Sequence, residues 1–168
     1  RKQLKDTIQL LDKEEEAIQK EAKEVAGKLK GKIPVIYAVA GSEGVAIRFR
    51  QQLNENSKIL CWHHVIPEMN HNELVGWTQK DERAAVVIFR NHTDYERSQA
   101  RIGINKEVFS RYTEHLTEIW SKGNSALERA LYLVHLGDWI SLYLAQLRGI
   151  DPVEVKVIDF LKGELGKK

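Results

Sequence analysis

The stretch GKIPVIYAVAGSEGVAIRFRQQLNENSKILCWHHVIPEMNHNE, residues 31–73, decides how this chain folds. It opens on an almost unbroken apolar run, entered through Gly31 and left through Gly41, which predicts a strand buried on both faces. Ser42 is placed to cap a helix whose apolar side uses Val45, Ala46, Phe49 and Leu53. KILCWHHVI, residues 58–66, predicts a second strand. Strand, helix and strand in immediate succession form the unit from which parallel sheets are built.

The same alternation continues outward. RAAVVIFR, residues 83–90, predicts a third strand, and HLTEIW, residues 115–120, a fourth. Between strands two and three, Asn70 to Trp77 reads as a short helix, with Asn70 and Glu73 at capping-box spacing. Residues 91–112 read as largely helical. Ser125 and Glu128 form a second capping box, opening a mostly buried helix that stops at Gly149. Asp151 then caps a last helix with Pro152 in its first position and an apolar stripe of Val153, Val157, Leu161 and Leu165.

At the other end, Leu4, Ile8, Leu11, Ile18, Ala22, Val25 and Leu29 draw one apolar stripe along a long charged helix, interrupted at Glu15. The pattern fits docking on a core better than a free coiled-coil arm. The expected architecture is α/β, a three-layer domain with a mostly parallel sheet flanked by helices. Residues 1–30 would form a preceding helix and residues 31–168 the domain proper.

Composition narrows the function. Of 168 residues, 30% are charged and 42% apolar, an ordinary globular balance. A net charge of +2, with acids and bases mixed along the chain, gives no electrostatic footprint for nucleic acid. The single cysteine, Cys61, lies in an apolar run, so no disulfide framework is expected and a reducing cytoplasm fits. The longest apolar tract, residues 130–147, carries His135 and Asp138, which predicts a buried helix and no membrane span. The chain begins at Arg1 without Met, which reads as part of a longer chain.

Several side chains could carry chemistry. His71 falls in the expected first turn of its helix, where the dipole favours a neutral imidazole able to exchange a proton. Glu73 is better explained as a cap. Glu55 falls in the last turn of its helix, where the dipole opposes a carboxylate, a liability in a structural residue and an asset in a general base. Arg48, Gln52 and Glu55 share a face at spacings of four and three. Lys162 sits near the end of the last helix, where a solvated lysine complements the dipole. His63, His64, His71 and Glu73 invite a metal reading. Adjacent residues of a strand point to opposite faces, however, so at most one of His63 and His64 could join His71. AGSEG, residues 40–44, could offer backbone N–H groups to an anion, a weak signal.

Three segments carry a specific resemblance: RFRQQLNENSK (48–58), PEMNHNELVGW (67–77) and HLGDWISLYLAQLRGIDPVEVKVIDFLKGEL (135–165). Together they resemble the C-terminal sugar isomerase (SIS) half of bifunctional phosphoglucose/phosphomannose isomerases. The resemblance implies a five-stranded parallel sheet and a second, upstream SIS domain. It also implies aldose–ketose isomerisation of glucose 6-phosphate and fructose 6-phosphate, often also of mannose 6-phosphate, without a metal or other cofactor. Glu55 then matches the base that moves a proton between C1 and C2 through a cis-enediol. His71 matches the ring-opening histidine, which in this family enters from the neighbouring subunit of a homodimer. Lys162 matches a lysine that helps open the ring and holds substrate, and Arg48 is a candidate substrate-binding residue. The family's Ser/Thr-rich phosphate loop and a substrate arginine would lie before Arg1, so this chain alone is expected to be inactive. Val153 stands where many relatives carry Thr, which bears on mannose specificity. The competing class is a non-catalytic phosphosugar-binding regulatory module, which could lose the Glu55, His71 and Lys162 combination that this chain retains.

Overall fold

A computed structural model describes residues 1–167. Four strands, β1 (Ile33–Val39), β2 (Trp62–Ile66), β3 (Ala84–Arg90) and β4 (Leu116–Trp120), form one parallel sheet in the order β2-β1-β3-β4. The resemblance implied five strands. After β4 the chain instead winds into α4 (Ala126–Arg148) and α5 (Lys156–Leu165), and no further segment of the described residues joins the sheet. The other helices are α1 (Lys2–Leu29), α2 (Glu43–Glu55) and α3 (Glu96–Phe109).

β1 is central and its residues alternate between two cores, which is why it reads as a continuous apolar run. Ile36 and Ala38 pack with α1, α2 and α4, while Val35, Tyr37 and Val39 pack with α3 and with Met69. The result is three layers. Gly137 of α4 allows close approach to α2, since a Cβ there would lie 3.0 Å from the Phe49 ring. Ser125 and Glu128 make the predicted capping box, and Gly149, at φ 66°, ends α4 in the left-handed conformation glycine adopts without strain.

α1 docks on α4. Ile18, Val25 and Leu29 are fully buried in the main core, each side chain worth roughly 1.5–3 kcal/mol on burial. The first turns differ, with Leu4 and Ile8 55% and 59% exposed. Glu15, the interruption in the stripe, marks the change: it accepts from Gln19 and pairs with His135 of α4 at 2.6 Å.

Local capping expectations fail where a tertiary partner competes. Ser42 makes no cap bond and instead accepts from the Asn91 amide. The helix expected over Asn70–Trp77 is two short 3₁₀ turns, Glu68–His71 and Glu73–Gly76. There the Asn70 amide is drawn to Asn105 and the Glu73 carboxylate to the sheet. α5 starts at Lys156, four residues later than Pro152 suggested. The Asp151 carboxylate accepts from the Val153 N–H in a local turn that competes with helix, and Lys58 binds the Pro152 carbonyl. Val153 is therefore outside the helix, and α5 buries none of its residues: Val157, Phe160, Leu161 and Leu165 are all exposed. No helix among the described residues is long and apolar enough to cross a membrane.

Candidate active site

Because β1 and β2 are parallel, α2 must run back from the carboxyl edge of the sheet to its amino edge. Glu55, the last residue of α2, therefore emerges at the amino edge, just before β2. α4 makes the same return journey beyond β4, so α5 also begins at that edge. A cleft of about 860 Å³ opens there, lined among others by Arg48, Gln52, Glu55, Lys58, Val155 and Val157. A second cavity of about 510 Å³ shares Gln52, Glu55 and Val155 and adds Asp138 and Trp139 of α4. Glu55, itself exposed, thus borders both spaces.

The turn that follows Glu55 is held firmly. Ser57 is fully buried and its hydroxyl donates to the Ser141 carbonyl at 2.7 Å. The Asn56 amide donates to Gln52 and to the Ser141 hydroxyl, both at 2.8 Å. Lys58 has φ 53°, the only positive φ at a non-glycine residue among those described. Its ammonium binds the carbonyls of Glu55 and, at 3.2 Å, Pro152. Arg148 binds the Ser57 carbonyl.

Arg48 lines the cleft, but its guanidinium fork is already engaged. Nε and Nη2 donate to the two oxygens of Asp138 at 3.1 and 2.7 Å, and this hydrogen-bonded pair pushes the Arg48 guanidinium above its usual range. Lys162 lies on α5 one turn beyond Ile158, exposed and not among the residues that line the cleft.

His71 is elsewhere. It ends the 3₁₀ turn Glu68–His71 beyond the carboxyl end of β2 and is exposed. The five-residue strand β2 separates it from the Glu55 turn, roughly 16 Å at ~3.3 Å per residue. The N-terminal helix turn expected to favour its neutral form is absent, since His71 closes its turn rather than opening one. Within one chain, Glu55 and His71 are not brought together.

Glu73 does not act as the predicted back-reaching cap. Its carboxylate accepts from the Tyr37 hydroxyl at 2.5 Å and the Trp62 indole at 3.2 Å on one oxygen, and lies 2.9 Å from His64 Nδ1 on the other. Burial first, and then the bond to Glu73, push the Tyr37 phenol well above its usual range. His63 points the other way, toward Glu43 at the start of α2, and burial holds its imidazole below the usual range. Among the described residues, no group of three or more His, Cys, Asp or Glu side chains is placed to hold a metal. The residues to which sequence reading gave no role at this site are Asn56, Ser57, Asp138 and Ser141. Their one signal was a pair of polar residues three apart, Asp138 and Ser141, inside the apolar run of α4.

Comparison with known proteins agrees with this architecture. The family described as bacterial phospho-glucose isomerase C-terminal SIS domain matches residues 18–165. The bifunctional phosphoglucose/phosphomannose isomerase of Aquifex aeolicus is 38% identical over 98% of this chain and 52% of its own length. The protein of the same name from Caldicellulosiruptor bescii is 38% identical over 87% of this chain and 44% of its own. The chain thus spans about half the length of the curated relatives it matches. Among solved structures, a glucose-6-phosphate isomerase like protein from Thermus thermophilus aligns over 78% of this chain and 42% of its own, with TM-score 0.62 and 23% identity. The C-terminal domain of glucosamine-fructose-6-phosphate aminotransferase from Francisella tularensis aligns over 91% and 46%, with TM-score 0.66 and 16% identity. These two likenesses establish the fold. The match over residues 18–165 and the two relatives at 38% identity establish the family: this chain belongs to the bacterial phospho-glucose isomerase C-terminal SIS domains.

Proposed function

We propose that this chain is the C-terminal half of a cytoplasmic, homodimeric isomerase that interconverts glucose 6-phosphate and fructose 6-phosphate. The observation that carries the reading is Glu55, a carboxylate on a tied turn between two cavities, in a chain of this family. Glu55 takes the proton from C2 of the open-chain aldose as the C1 carbonyl oxygen gains one. The resulting cis-enediol receives a proton at C1 while the C2 hydroxyl gives one up, leaving the ketose. Protonation of the same enediol on the opposite face of C2 would give mannose 6-phosphate, the further activity in the relatives' names.

Ring opening needs a second proton shuttle, and His71 is assigned to it. Since β2 stands between His71 and Glu55 in one chain, His71 serves the site of a second copy. A two-fold dimer satisfies this reciprocally, each copy lending its carboxyl-edge turn to the other. Lys162, on the helix that leaves the cleft, is assigned to holding substrate, and the upstream half of the chain to binding the phosphate.

Complementation tests the reading. Full-length Glu55→Gln and His71→Ala chains, each inactive alone, are unfolded, mixed and refolded. Random dimers carry one intact site in half of the assemblies, so roughly a quarter of wild-type activity should return. Mixed dimers that form and remain inactive would show that His71 does not act across the interface.

A further inference from the structure

We infer that Ser141, buried in α4, is a positioning residue for Glu55. This rests on the assignment of Glu55 as the base.

Three independent features converge on this serine. It is fully buried, an unusual place for a hydroxyl inside an apolar helix. Its hydroxyl accepts from Asn56 and donates to the Asp138 carbonyl at 2.7 Å, while its own carbonyl accepts from Ser57. The residues next after Glu55 are therefore both fixed on Ser141. Finally, the turn they hold contains Lys58 at φ 53°, a conformation that persists in a non-glycine residue only where surrounding contacts over-determine it.

The consequence concerns geometry at the carboxylate. Glu55 sits at a helix end, where backbone normally frays, and its side chain is exposed. Asn56 and Ser57, anchored on α4, fix the direction in which α2 ends and so where the Glu55 carboxylate starts. The same segment of α4 presents Asp138 to Arg48, so it contacts two of the places where α2 faces the cleft, Arg48 and the turn after Glu55. A base displaced by about 1 Å can lose on the order of a hundredfold in rate.

The test uses the full-length dimer and Ser141→Ala, a change that keeps α4 helical and leaves Asn56 its bond to Gln52. The turnover number should fall on the order of ten- to a hundredfold, with the Michaelis constant changed less than about threefold. The isotope effect with C2-deuterated aldose should rise, because proton abstraction becomes more rate-limiting. Glu55→Gln with Ser141→Ala should be no slower than Glu55→Gln alone, since both act through one carboxylate. Ser57→Ala, which removes the other anchor, should reproduce the smaller turnover number and the larger isotope effect if Ser141→Ala proves insoluble. Normal turnover and an unchanged isotope effect in folded variants, while Glu55→Gln is inactive, would overturn the positioning role. Full activity in Glu55→Gln would instead overturn the assignment of the base.

Discussion

Two polar segments flank β2, and they treat their candidate residues in opposite ways. The turn at Glu55–Lys58, which leads into the strand, ties its neighbours down and leaves the carboxylate facing open space. The segment at Pro67–Trp77, which leaves the strand, ties its carboxylate down and leaves the histidine outside. Glu55 and Glu73 are both glutamates close to asparagines in sequence, yet it is the Glu73 carboxylate that other side chains engage. A carboxylate that accepts from Tyr37 and Trp62 on one oxygen and abuts His64 on the other is held on both sides. Availability, more than residue type, separates a candidate base from an anchor.

The largest expected effect falls on the free carboxylate. Glu55→Gln in the full-length enzyme keeps size and hydrogen bonding but removes the base, and should lower turnover by at least ~10²–10⁴-fold with little change in substrate binding. His71→Ala should be rescued in part by an open-chain analogue, because that substrate bypasses ring opening, whereas Glu55→Gln should not. Steady-state kinetics with both substrates checks the pair. If Glu55→Gln keeps its turnover while Glu73→Gln loses it, the comparison is inverted.

Glu73→Gln tests the anchor. The amide oxygen can still accept from Tyr37 and Trp62, but without the negative charge those bonds weaken, and the group facing His64 Nδ1 becomes an NH₂ donor in place of a carboxylate oxygen. The loss should be about 1–3 kcal/mol of stability, and a 168-residue domain then melts roughly 2–10 °C lower. Thermal unfolding of the isolated chain measures it. An unchanged melting temperature would mean that the network around Glu73 contributes nothing net.

The smallest effect reports on the tied turn without catalysis. Cys61 lies between that turn and β2, with Sγ donating to the Arg50 carbonyl at 3.7 Å, and burial pushes its thiol up to about 11. Only the thiolate reacts, so alkylation at pH 8 should be roughly a hundredfold slower in the folded chain than in denaturant. Ser57→Ala should loosen the turn and narrow that gap. Fast labelling of the folded wild type would show that the amino edge is not held as described.

How far the sequence was readable follows the range of the forces. β1 announced itself because a central strand buried on both faces leaves no polar alternation to obscure it. α4 was bounded by Ser125, Glu128 and Gly149 because caps are made between residues a few positions apart, and the local spacing of Val45, Ala46, Phe49 and Leu53 carried α2 to Glu55. The segments 48–58, 67–77 and 135–165 were likewise legible as motifs. Tertiary structure decided the rest. Ser42, Asn70 and Glu73 all had the chemistry of caps, but a polar side chain binds whichever partner the fold brings within reach. For Glu73 that partner was Tyr37, thirty-six positions away. The same rule fixed Ser57 against Ser141 and set Glu55 and His71 at opposite edges of the sheet. No local pattern encodes those distances, because they are set by how strands and helices pack across the whole domain.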